Sequence, residues 1–221
     1  MSKIAIILGA TGLTGGLFLQ KLIADKTYTK IKLFSRKTAG LQSNKIEEFL
    51  IDVLQLEKYK EEFIGDVVFC CIGTTAAKTK DKEVYKAIDF GIPVNAAKLA
   101  KENSIDTFVV MSSMGADVSS TVFYNKTKGE MERAVLKQHI KNTYILRPSL
   151  IGGNRDEFRF GEKIGKGFMS LLNPILKGKL EKYKMIHPVK IASAMQKLAT
   201  SEINQTIFSS DEIVEIANSR K

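Results

Sequence analysis

Short runs of aliphatic and β-branched residues alternate along this chain with longer stretches whose apolar positions recur every three or four residues. The short runs, at residues 3–8, 30–35, 46–51, 66–72, 107–112, 142–146 and 205–209, read as strands. The helical period covers residues 12–25, 56–63, 81–102, 126–139, 189–200 and 211–217. Pro93 falls inside the third of these helices and predicts a kink or two shorter pieces. Strand, helix, strand alternation predicts an α/β fold: a doubly wound, mostly parallel sheet with helices on both faces and right-handed crossovers. Residues 152–187 break the rhythm, because Gly152, Gly153, Asn154, Gly161, Gly165, Gly167, Pro174 and Gly178 punctuate short apolar pieces. That stretch is expected to form a substrate-side lid within one domain spanning residues 1–221, with Phe158, Phe160, Phe168 and Met169 as apolar lining and Arg155 and Arg159 nearby.

The first strand runs into Gly9, Gly12 and Gly15, and a helix follows at once. Gly9 suits a sharp turn, Gly12 lets the main chain approach a pyrophosphate, and Gly15 lets helix and strand pack closely. The free N–H groups of the first helical turn, flanked by Thr11, Leu13 and Thr14, then face an anion. This is the strand, turn and helix of a Rossmann-type dinucleotide site, with G-x-x-G-x-x-G spacing in place of G-x-G-x-x-G. An ordinary βα turn can use the same glycines for packing alone, so the later segments have to decide.

The end of the second strand is the place for an acid that bonds the ribose hydroxyl of NAD. It reads Ser35-Arg36-Lys37, with no acid between Asp25 and Glu47. Charge-assisted bonds from Arg36, with Lys37 and Ser35, suit a 2′-phosphate and favour NADP(H). Asp52 and Val53 after the third strand are placed toward the adenine, and Ile72, Gly73, Thr74 and Thr75 after the fourth toward the cofactor's sugars. On spacing alone, Gly73 is equally a plain strand-end turn.

Net charge is +10, from 34 Lys and Arg against 24 Asp and Glu. The lysines are spread along the chain and mixed with Glu, without clustered aromatics, which speaks for a solvated face and against nucleic acid. Cys70 and Cys71 are adjacent in a strand, so their side chains point to opposite faces and cannot share a metal; they read as free thiols in a reducing compartment. The opening apolar run stops at Gly9, too short for a signal peptide, and no stretch approaches a membrane span. A cytoplasmic protein is expected.

Past the fifth strand come Met111-Ser-Ser-Met-Gly-Ala-Asp117 and Tyr124-Asn-Lys-Thr-Lys128. Tyr124 and Lys128, four apart, share a helix face, where an ammonium lowers the phenol's pKa. Roughly one such pair is expected by chance in so lysine-rich a chain. Tyr28 with Lys32 is a second, on the wrong side of the sheet. Ser112 and Ser113 alternate in direction, so one of them alone can act, and Ser113 lies nearer the strand's carboxyl end. A helix or turn cap is the competing role for that serine. Asn95 reads as polar helix surface, and His187, before Pro188, as a cap or loop residue.

Together Gly9-x-x-Gly-x-x-Gly15, Cys71-Ile-Gly-Thr-Thr75, Ser112-Ser-Met-Gly-Ala-Asp117, Tyr124-x-x-x-Lys-Gly-Glu130 and Leu146-Arg-Pro148 resemble the atypical, extended-like short-chain dehydrogenases/reductases. Within them the chain is similar to the HIV Tat-interacting protein family, over roughly residues 3–200. The resemblance implies an NADP(H)-dependent oxidoreductase acting on a small-molecule carbonyl. Tyr124 would be the proton donor, Lys128 its activator and ribose ligand, and Ser113 or Ser112 the donor to the carbonyl oxygen. Pro148 and Ile151 would line the nicotinamide. It also leaves open epimerisation by the same hydride chemistry, and an NADPH-sensing regulatory protein with little turnover. Monomer and homodimer are both compatible with it.

Overall fold

The computed structural model describes residues 2–75, 77–152, 178–201 and 203–219. Among them seven strands form one sheet in the order β3-β2-β1-β4-β5-β6-β7. They are β1 (Lys3–Leu8), β2 (Tyr28–Ser35), β3 (Ile46–Leu50), β4 (Val67–Cys70), β5 (Thr107–Met111), β6 (Asn142–Leu146) and β7 (Ile207–Phe208). Every neighbouring pair is parallel. The chain runs outward from β1 to β3, crosses back to β4 and runs outward the other way, so the strand order reverses between β1 and β4. In sheets of this kind that crevice receives the ligand.

The helices are α1 (Leu13–Ala24), α2 (Lys82–Lys86), α3 (Ile92–Glu102), α4 (Phe123–Leu136), α5 (Pro188–Leu198) and α6 (Ser210–Asn218). Alternate residues of β1 feed two cores. Ala5 and Ile7 pack with Phe18, Leu22 and Met195 of α1 and α5, while Ile6 and Leu8 pack with Ala96, Ala100 and Met131 of α3 and α4. Because both faces are covered, the strand reads as an unbroken apolar run. Cys70 joins one core and Cys71 packs against the other, and both thiols are free.

The expected helix over 81–102 is three pieces: α2, a π-turn over Ala87–Gly91, and α3. Pro93 is the cause. It has no N–H, and its ring would press on the carbonyl four residues back. In the wider turn Ile92 bonds back to the Ala87 carbonyl, and Pro93 falls in the first turn of α3, where no N–H is required. The expected helix at 56–63 is instead a 3-10 segment at Val53–Tyr59, opened by Asp52, whose carboxylate accepts the Leu54 N–H at 3.1 Å. Helix α4 begins at Phe123, earlier than expected, which brings Tyr124 inside its first turn. Most of the expected lid, including Arg155, Phe158, Arg159, Phe160, Phe168 and Met169, lies outside the described residues.

The contact of α1 with β1 is the tightest backbone approach in the crevice. A Cβ on Gly15 would stand 2.1 Å from the Gly9 carbonyl oxygen. No rotamer relieves a clash with main chain, so Gly15→Ala is expected to destabilise the protein by about 3 kcal/mol or more. The shift of its urea unfolding midpoint against the parent measures this.

Candidate functional site

Gly9 leaves β1 with φ +85°, a conformation that side chains other than glycine's rarely adopt, and a Cβ there would meet the Cys71 carbonyl carbon at 2.8 Å. The Gly12 N–H closes the turn on the Gly9 carbonyl at 3.0 Å. Gly12 is then the N-cap of α1 and has no side chain to satisfy the helix, whose first turn contains no acid. Its first N–H groups therefore have no partner within the helix and no acid beside them. Gly12, Leu13 and Thr14 border a cavity of about 380 Å³, while Thr11 is exposed beside it.

The same cavity is bordered by Ile72 to Thr75 after β4, Ser112 and Ser113 after β5, Tyr124 and Lys128 on α4, and Pro148 to Ile151 after β6. The two serines differ in what they touch. Ser112 donates to Glu132 Oε1 at 2.5 Å, whereas the Ser113 hydroxyl is buried without a hydrogen-bond partner among the described residues. Tyr124 is half-buried at the rim, its ring edge-on to Tyr85 with centroids 6.1 Å apart. Burial, and then the charge of Asp89, push the Tyr85 phenol well above its usual range. Lys128 reaches inward to Asp89 Oδ1, 2.7 Å from its Nζ. This is an ion pair and not an aligned hydrogen bond, since Oδ1 has no hydrogen-bond partner.

Away from the cavity the expected adenine end is more open. Arg36 and Lys37 are exposed after β2, and Ser35 is buried with its hydroxyl turned to the Lys37 carbonyl at 2.7 Å. The Asp52 carboxylate is engaged in capping, and the Val53 side chain lies in the core with Leu56 and Phe63. His187 caps α5, its Nδ1 accepting the Val189 N–H at 3.3 Å. Tyr28 is fully buried in the core, and Lys32 bonds the Glu62 carbonyl, away from the crevice. Asn95 is half-buried on α3.

Three features of the site went unmarked in the sequence reading. Asp89 faces Lys128, where Asn95 was weighed and set aside. Glu132 accepts Arg147 Nε at 2.9 Å and Nη2 at 2.5 Å, a two-pronged pair that holds the Arg147 proton more tightly than usual. Gly129 lets the loop after β5 lie on α4, since a Cβ there would be 2.4 Å from the Asp117 carbonyl carbon. Lys128-Gly129 and Leu146-Arg147 stand inside motifs quoted from the sequence, which is the signal that could have led to the last two.

A family model described as NAD(P)H-binding matches residues 9–151. Protein FMP52, mitochondrial, of Candida albicans is 32% identical over 96% of this chain and 97% of its own length. Protein HTATIP2 of Rattus norvegicus is 31% identical over 77% of this chain and 72% of its own. The UDP-Glc/GlcNAc 4-epimerase of Campylobacter jejuni shares the fold, with TM-score 0.69 at 15% identity, covering 97% of this chain and 82% of that one. The expectation of a cytoplasmic protein is overturned by the Candida albicans relative, which aligns nearly end to end and is named mitochondrial. Thiol chemistry and the absence of a long apolar run constrain redox state and membrane crossing, and neither distinguishes the cytosol from an organelle interior.

The two serines separate in an unfolding experiment. Ser112→Ala removes a donor from a buried carboxylate and is expected to lower stability by about 1–3 kcal/mol. Ser113→Ala removes a buried hydroxyl that has no hydrogen-bond partner among the described residues, and its urea midpoint is expected to match or exceed the parent's.

Proposed function

The chain belongs to the NAD(P)H-binding family of atypical short-chain dehydrogenases/reductases, and from that premise we propose that it is an NADPH-dependent reductase of a small-molecule carbonyl, with Ser113, Tyr124 and Lys128 as catalytic residues. The observation that carries this reading is the Ser113 hydroxyl, buried without a hydrogen-bond partner among the described residues on the same cavity as Tyr124 and Lys128. An unsatisfied buried hydroxyl is costly unless a ligand atom completes it.

The residues fit a dinucleotide. The uncapped start of α1 at Gly12 to Thr14, with Gly9, Thr11 and Gly15 shaping the turn, holds the pyrophosphate. Arg36 and Lys37, exposed and without an ion pair among the described residues, take the 2′-phosphate, with Ser35 holding their turn. Asp52 and Val53 border the adenine through their backbone, Ile72 to Thr75 the sugars, and Pro148 and Ile151 the nicotinamide pocket. When bound, NADPH supplies the hydride. Tyr124 gives its phenolic proton to the carbonyl oxygen, Ser113 donates a hydrogen bond to that same oxygen, and solvent reprotonates Tyr124. Lys128, one turn further along α4 and on the same cavity, is the cation assigned to the phenol.

Tyr124→Phe is expected to abolish hydride transfer in single-turnover absorbance measurements at 340 nm while NADPH titrates with nearly unchanged affinity. Equal turnover in the variant would refute the assignment. Arg36→Ala is expected to weaken NADPH binding about tenfold, the loss of one charge-assisted bond, with NADH affinity almost untouched. Parallel losses for the two nucleotides in calorimetric titrations would show that Arg36 does not meet the 2′-phosphate.

A further inference from the structure

Asp89 takes no part in the chemistry just described, yet its carboxylate is fully buried and borders the cavity. A buried carboxylate persists only where cations and N–H donors compensate it. Both come from opposite walls of the site. Oδ2 accepts the Thr74 N–H at 2.7 Å, from the segment that follows β4, and Oδ1 lies 2.7 Å from Lys128 Nζ on α4. The Lys128 side chain is 4% exposed, so its ammonium depends on that counter-charge in turn. Among the described residues, the other titratable groups around the pair are Tyr85 from α2 and Cys70 at the end of β4, with Tyr124 of α4 edge-on to Tyr85. Burial pushes the Tyr85 phenol up and the Cys70 thiol to about 11, which leaves both uncharged near neutral pH. At Gly73 the main chain roofs the pair: a Cβ would stand 3.6 Å from Asp89 Oδ1 and 3.8 Å from Lys128 Nζ. The π-turn that Pro93 imposes is the segment that carries Asp89, so one backbone irregularity both splits the helix and aims the carboxylate.

We propose that Asp89 is the positioning residue of this site: its carboxylate keeps the buried Lys128 charged and pins the ammonium against the Thr74 segment, on the cavity that Tyr124 also borders. The inference rests on the reading of Tyr124 and Lys128 as the reacting pair, and its test has one arm that needs no turnover.

Asp89→Asn keeps the size and an acceptor for the Thr74 N–H and removes the charge. An ammonium buried without a counter-charge binds its proton less well in the folded chain than in the unfolded one, so stability then rises with pH. The thermal midpoint of Asp89→Asn, followed from about pH 6 to about pH 9, is expected to climb relative to the parent, and that climb is expected to vanish in Asp89→Asn/Lys128→Met. Superimposable pH dependence of parent and Asp89→Asn overturns the proposal. In the catalytic arm, Asp89→Asn is expected to lose kcat about tenfold at neutral pH and to shift the alkaline limb of kcat/KM toward lower pH by about one unit, the effect of a lysine that gives up its proton early. An unshifted profile overturns it even if the rate falls. Should Asp89→Asn not fold, the double variant decides: a folded double variant supports the pairing, and an unfolded one overturns it. A fully active Tyr124→Phe with a climbing midpoint in Asp89→Asn would refute the reaction and leave the clamp standing.

Discussion

A carboxylate taken out of water has to be compensated on every side, and at Glu132 that requirement fixes how α4 lies on the sheet. The residue is 3% exposed, and its partners come from two adjacent strand ends, Ser112 after β5 and Arg147 after β6. Breaking a pair of this kind leaves an uncompensated buried charge and costs about 3–5 kcal/mol. The helix can therefore neither rotate nor slide without losing those bonds. One turn earlier, Gly129 lets the loop after β5 rest directly on the helix. Tyr124 and Lys128 stand on this same helix, so their directions follow from Glu132 and Gly129 before any ligand arrives.

The site thus has two ends of different physical character. The end proposed for chemistry is built from groups that satisfy one another out of water: Asp89 with Lys128 and Thr74, and Glu132 with Ser112 and Arg147. Ser113 and Tyr85 are exceptions, buried hydroxyls with no hydrogen-bond partner among the described residues. The end proposed for the adenosine phosphate relies on exposed Arg36 and Lys37, where solvent screens charge and substitutions are cheaply tolerated. Changing the nucleotide is accordingly easier for such a protein than changing its reaction.

Much of this was legible in the sequence because the informative residues act locally. Gly9, Gly12 and Gly15 report a turn, the runs in β1 and β5 report strands covered on both faces, and His187 before Pro188 reports a helix start. Asp89 was not legible. Between Ile88 and Phe90 in a helical period it reads as one polar position among many, and only the π-turn ahead of Pro93 directs it to Lys128. Alternation separated Ser112 from Ser113 but could not assign the faces, since that depends on Glu132, twenty residues on. Cellular address was misread for a similar reason: the residues that build the fold do not encode it.

The all-parallel sheet also dictates when the site comes into being. Parallel neighbours cannot be joined by a hairpin, so each pairing waits for a crossover, and contacts distant in sequence form late and slowly. The glycine turn after β1 closes on itself, Gly12 N–H to the Gly9 carbonyl, and needs no strand beyond its own. The arginine that clamps Glu132 follows β6, so α4 gains that part of its hold only when β6 has joined the sheet. The turn proposed to hold a phosphate is thus closed by neighbours in sequence, and the groups proposed for chemistry are held by partners far apart in it.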